Sequence, residues 1–154
     1  MIWLSAQYAL LPFLVSRLAL SLALIAKSRR NTPGSGSFIL LMLAVSEWSL
    51  ARSCEALAIG IPAKVFWAKI EYLGIMSVPP LWLLFSATYR RKKKTYDLRN
   101  SAFLWVIPVL TWLAVASNEQ HRQFWSAISP SLYHPEVILV YSHGPLFWAA
   151  AVYN

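Results

Sequence analysis

The sequence predicts an all-α membrane protein: a polytopic helix bundle of four full transmembrane helices plus a truncated fifth, with the N-terminus outside. Three observations predict it. Apolar residues make up 58% of the 154 and charged ones only 13%, where a soluble domain carries about 25% charged residues. The apolar residues gather into segments approaching the roughly 20 needed to cross a bilayer as helix. The basic residues behind the net charge of +8 cluster beside those segments, which is the pattern of a membrane protein and not of a nucleic-acid surface.

The chain reads as a single transmembrane domain over 1–154. The first span covers about 3–26 and ends at a basic loop, 27–37, that holds Lys27, Arg29 and Arg30. The second runs over about 38–59 and is closed by Gly60-Ile61-Pro62. The third, about 65–89, leads into Arg90-Arg91-Lys92-Lys93-Lys94 of a second basic loop, 90–101. The fourth covers about 102–116. An outer segment, 117–143, precedes an apolar run over 144–154, too short to cross a bilayer and expected to be a cut fifth span.

Orientation follows from counting Lys and Arg. The two basic loops hold nine of the 14, Arg99 included, whereas the opposite side has Lys64, Arg122 and, at a helix edge, Lys69. The positive-inside rule makes both basic loops cytoplasmic. Nothing basic precedes the first apolar run, so an uncleaved anchor is expected in place of a signal peptide. Trp3, Trp67, Tyr89 and Trp105 fall near the predicted interfaces as belt anchors, while Trp48, Trp82 and Trp112 lie deeper. Cys54 is the lone cysteine, so no intrachain disulfide or cysteine zinc site can form.

In the outer segment, Ser117-Asn118-Glu119-Gln120 fits a capping box. It predicts a short helix over 119–128 with Phe124, Trp125 and Ile128 turned to the interface. Val137 to Tyr141 is β-rich and reads as a short strand.

Ionisable residues within a membrane call for partners. At about 1.5 Å per residue, Arg17 and Glu47 lie at nearly the same depth, as do Arg52 and Glu71, and Glu55 and Lys69. These are candidate interhelical ion pairs, which either fix helix register or take part in sensing. Pro79-Pro80 removes backbone donors within the third span and predicts a bend, a candidate hinge. Pro12 and Pro108 also fall within spans. His121, His134 and His143 lie on the outer side, but separations of 13 and 9 match no helical metal-ligand motif, so no metal site is assigned. No phosphate loop, nucleophile elbow or His-Glu-x-x-His helix occurs, and neither catalysis nor a cofactor is expected of this segment.

Several short motifs then stand in a characteristic order. Ser28-Arg29-Arg30-Asn31-Thr32-Pro33-Gly34 leads to Phe38, Glu47-Trp48-Ser49-Leu50 and Glu55. Lys64-Val65-Phe66-Trp67, Glu71-Tyr72-Leu73-Gly74-Ile75 and Pro79-Pro80-Leu81-Trp82-Leu83-Leu84-Phe85 follow. After the basic loop come Ile107-Pro108, Ser117-Asn118-Glu119-Gln120-His121-Arg122-Gln123-Phe124-Trp125 and Gly144-Pro145-Leu146-Phe147-Trp148 with Tyr153. From about Lys27 to Asn154 this order resembles the N-terminal seven-transmembrane sensor region of bacterial and archaeal membrane histidine kinases. Ser117-Asn118 stands where that family often has Thr-Asn.

The resemblance implies a seven-helix, N-out input region in a prokaryotic cell membrane. It would pass a stimulus to a cytoplasmic histidine kinase, in some relatives a diguanylate cyclase, outside these residues. Implied partners are the lipid bilayer, an unknown ligand, a second copy through cytoplasmic domains, and a response regulator through the kinase; nucleic acid is not among them. Candidate ligand or signal residues are Arg52, Glu55, Glu71, Trp82, Asn118 and His121. The reading from another class is a fragment of a transporter or channel with the charges on a substrate path. Inverted repeats or paired broken helices would support it, and neither is visible.

Overall fold

A computed structural model describes residues 2–29, 31–90, 101–132 and 138–153. His134, Val137, Arg30 and most of the second basic loop lie outside the described residues. Three long helices come first: α1 (Ile2–Ser28), α2 (Ser35–Leu57) and α3 (Ile61–Arg90). Each is long and apolar enough to cross a membrane, by length and composition. They run alternately up and down, α1 against α2 and α2 against α3.

Small residues decide how α1 meets α2. Ala9, Ser16 and Ala23 recur every seventh residue of α1 and are buried, a spacing that keeps one narrow stripe facing a neighbour. Within that seam the Ser16 and Ser46 hydroxyls lie 3.0 Å apart, and Ser53 donates to the Ala9 carbonyl at 2.9 Å. The remaining faces of α1 carry exposed Leu10, Leu11, Leu14 and Leu18, the surface of a helix solvated by lipid.

The approach of α2 to α3 requires Gly74. A Cβ there would lie 2.6 Å from the Ala44 carbonyl oxygen and 2.7 Å from the Trp48 Cβ, closer than such atoms pack. Towards the end bearing Lys27, Arg29 and Arg90, the packing is apolar: Leu41, Leu81 and Leu84 are buried together, with Leu104 and Trp105 against them. The α3 helix continues through Pro79 and Pro80, with Pro80 buried, so the missing donors do not end it.

A 3-10 turn, Ala102–Trp105, leads into α4 (Val106–Ala116). The four-residue turn and 11-residue helix rise about 25 Å together, short of a hydrocarbon core of about 30 Å. The expected fourth full span is therefore a shorter apolar helix.

The segment after α4 differs more from expectation. The helix α5 (Asn118–His121) is a single turn, ended by Arg122 at φ 51°. The strand β1 (Trp125–Pro130) then pairs antiparallel with β2 (Leu139–His143), and α6 (Pro145–Tyr153) follows. Of the helix expected over 119–128, residues 119–121 are helical and 125–128 belong to β1. The fold is mostly helical, as expected, with one two-stranded pair among the described residues. A register shift between Trp125 and Ala127 explains the misreading. It changes strand parity, so Trp125 and Ile128, three apart as on a helix, face the same side.

Phe124 and Trp125 are buried, not interfacial, in a cluster with Ala68, Met76, Val115 and Ala150. Tyr72 meets Phe124 edge-on at 5.1 Å, and Phe124 meets Phe147 at 5.8 Å. The short strand expected near 137–141 is present, two residues later. Gly144 sits where a Cβ would be 2.1 Å from the Gln123 carbonyl oxygen, so only glycine lets β2 turn into α6 against that backbone.

Candidate functional site

At the hairpin end, ionisable groups enter the bundle from α2, α3 and β2. Glu55, on the last turn of α2, is only 3% exposed. Its Oε1 accepts the Tyr141 hydroxyl at 2.7 Å, and its Oε2 is paired with the Arg52 guanidinium one turn earlier. Lys64, 2% exposed, extends from the first turns of α3 and donates to the Glu55 main-chain oxygen at 2.9 Å. That carbonyl is among the last of α2, at the negative end of the helix dipole, and also accepts the Ala58 N–H at 3.2 Å. A small cavity of about 30 Å³ between Tyr8, Arg52, Glu55 and Leu139 adjoins the pair.

Burial, and then the Glu55 carboxylate, push the Tyr141 hydroxyl well above the usual phenol range. Tyr141 is thus a fixed donor at neutral pH. One turn deeper, Glu71 accepts from Trp48 Nε1 at 3.0 Å. Glu47, deeper still, packs at Gly74, and both its carboxylate oxygens are buried without a hydrogen-bond partner.

A second polar system holds the hairpin. Asn118 is buried, and its Oδ1 accepts the backbone N–H groups of Phe124 at 3.0 Å and Trp125 at 2.9 Å. Its Nδ2 donates to the Trp125 carbonyl at 3.0 Å. His121 accepts the Gln123 N–H at Nδ1 (3.0 Å) and places Nε2 3.1 Å from the Ala114 carbonyl, a pattern that suits the Nε2–H tautomer. Ser117 donates to the Leu113 carbonyl and makes no side-chain cap, so the capping box is not formed.

On the α3 side, Lys69 Nζ donates to the Ala116 carbonyl at 2.9 Å and to both oxygens of Glu119, one at 2.6 Å. That bond, chiefly, holds the Glu119 carboxyl below its usual value of 4.5.

A family model for the N-terminal 7TM region of histidine kinase matches residues 10–154. The chain belongs to this family. It matches no curated protein and no solved structure. As an N-terminal histidine-kinase region it is a membrane-embedded sensor segment, and the polar systems above are the features of its hairpin end.

The expected charge pairs are redistributed in this sensor region. Among the described residues the ion pairs are Arg52–Glu55 and Lys69–Glu119. Arg17 is exposed, and its neighbour Ser16 meets α2 in its place. Glu55 and Lys69 take other partners, and Glu71 bonds to Trp48. Arg52, Glu55, Glu71, Asn118 and His121 gather at one end. Trp82 does not: it lies roughly 16 Å further along α3, largely exposed and beside Phe85. Among the described residues no group of three or more His, Cys, Asp or Glu converges as a metal site.

Two members of the site were missed in the sequence, Tyr141 as a partner of Glu55 and Lys64 as a buried cation. Tyr141 carries no local signal, because 86 residues separate it from Glu55. Lys64 could have been found, being four residues past the Gly60 turn and so one helical turn into α3.

Proposed function

We propose that this region perceives a stimulus at its hairpin end and passes it along α2 and α3 to the cytoplasmic output of a histidine kinase. The observation that carries the reading is the buried Glu55. It ties a residue of the hairpin, Tyr141, to α2 through Arg52, and its carbonyl takes Lys64 of α3. A change in hairpin position must be felt by both helices. Each ionisable group buried at such a junction is costly in a membrane, which supports a role beyond anchoring.

The basic end then faces the cytoplasm of a prokaryotic cell and the N-terminus lies outside, as the charge bias favours. Pro79 and Pro80 weaken the backbone ladder of α3 on the path between the two ends. Output passes to a kinase dimer and from there to a response regulator.

The test is autophosphorylation of the full-length protein in membranes. Tyr141→Phe and Glu55→Gln shift basal phosphorylation at least about threefold, since each alters a bond worth roughly 1.5–3 kcal/mol to a charged group. Leu11→Ala, on the lipid-facing side of α1, does not. Phosphorylation indifferent to both site variants refutes the reading.

A further inference from the structure

Beside the Lys69–Glu119 pair lies a groove of about 680 Å³, between the first turns of α3 and the hairpin. That volume is within the range of small-molecule sites. Its walls are apolar and aromatic, with Ile61, Val65, Phe66, Trp125 and Ile128 along them. At one end stand Lys69, Glu119 and Asn118.

These three polar groups differ in what they can offer a ligand. The Asn118 amide is committed to the hairpin backbone through three hydrogen bonds. Lys69 is anchored by the Ala116 carbonyl and its side chain is only 19% exposed, whereas Glu119 is 64% exposed. The cation therefore stays while the exposed carboxylate can swing into water, because an exposed ion pair contributes little. Glu119 also shows what fits: a carboxylate seated with both oxygens on one ammonium.

We propose that this groove binds a single-chain amphiphile with a carboxylate head, a fatty-acid anion. The head sits on Lys69 Nζ in place of Glu119, and the chain lies along Ile61, Val65, Phe66 and Trp125. Exposed Ile61 and Phe66 leave the groove accessible at the membrane interface, where such molecules concentrate. One monovalent head matches the one ammonium. A phosphate dianion would carry a second charge that Lys69 cannot match, next to Glu119. The inference gives a ligand class to the proposed input face and rests on that reading for its meaning. Binding is measured without a kinase, so its failure is distinguishable from failure of the signalling reading.

The experiment is equilibrium binding of radiolabelled palmitate to the protein in nanodiscs, with empty nanodiscs subtracted. Saturable binding is expected, tightened about two- to fivefold by Glu119→Gln, which removes the competing charge. Lys69→Gln weakens it about tenfold or more, through loss of the charge-assisted bonds. If Lys69→Gln does not fold, judged by its helical circular dichroism, the Glu119→Gln result decides. Binding unchanged or weakened in Glu119→Gln overturns the proposal. So does equal competition by palmitate methyl ester, tighter binding of a hexadecyl phosphate, or the absence of saturable binding.

Discussion

Replacing Asn118 with alanine removes three hydrogen bonds at one stroke, and the structure sets the size of the effect. The lost partners are the N–H groups of Phe124 and Trp125 and the carbonyl of Trp125. All belong to residues almost fully buried, so water does not readily replace the amide. Each net bond is worth about 1 kcal/mol, and an orphaned buried group costs about 1–3 kcal/mol. Allowing for relaxation into the space left by the side chain, Asn118→Ala weakens hairpin closure by roughly 3 kcal/mol. At about 1.4 kcal/mol per decade, local opening becomes roughly 100-fold more frequent.

Amide hydrogen exchange by mass spectrometry in nanodiscs reads this directly. Peptides covering β1 and β2 lose protection, while those of the α1–α2 seam around Ser16 and Ser46 keep theirs. Gln120→Ala, on the exposed side of the same short helix, is the control and leaves both unchanged. If the hairpin in Asn118→Ala exchanges within threefold of the parent, Asn118 does not brace it and the assignment is wrong. A uniform loss of protection across α1 to α3 also refutes the reasoning, since it would mean the hairpin has no opening of its own.

Three further outcomes follow from the geometry. Gly144→Ala places a Cβ against the Gln123 carbonyl and destabilises the β2–α6 junction by about 3 kcal/mol, seen as a lowered thermal midpoint in detergent; an unchanged midpoint would contradict the close approach. Arg17→Leu and Glu47→Gln add independently in a double-mutant cycle, within about 0.5 kcal/mol, whereas a coupling above about 1 kcal/mol would restore the depth-matched pair. The Lys69–Glu119 pair is stable from neutral pH down to the ordinary carboxylate range. Because the folded Glu119 value is depressed, its contribution is present above 4.5 and is lost as pH falls through the lower folded value. A carboxyl-carbon NMR titration of Glu119 with its midpoint above 4.5 would exclude the bond.

The three long helices were legible because bilayer-length apolar runs are interrupted at Gly34 and Gly60, and such runs have few other outcomes in lipid. The charge pairs were not, for a geometric reason. Matching depth fixes a residue's height on a helix but not its angle, and successive residues differ by about 100°. Ser16 faces α2, so Arg17 beside it must turn away. The seven-residue recurrence of Ala9, Ser16 and Ala23 held that angular information, and it outranks depth. The hairpin was half legible: β-branched and aromatic residues marked β2, but Phe124, Trp125 and Ile128 have helical spacing, and only the register shift reconciles it with a strand. Asn118 was picked out as a residue for ligands; its three backbone bonds show it first as a brace.

The hairpin is fastened to the bundle by contacts of unequal strength, and that inequality limits how the proposed stimulus can act. Asn118 closes the hairpin on α5, Tyr141 ties it to Glu55 on α2, and Lys69 joins α3 to α4 and α5. The Lys69–Glu119 pair is exposed on one side and contributes at most about 1 kcal/mol. The Tyr141–Glu55 bond reaches a buried carboxylate and is worth about 1.5–3 kcal/mol. Reversing a two-state population from 1:99 to 99:1 takes about 5.5 kcal/mol. Displacing Glu119 alone is therefore too weak to drive such a reversal in the proposed sensor. On the proposed input reading, an effective stimulus must also gain energy by filling the apolar groove against Trp125, or must strain the strand that carries Tyr141.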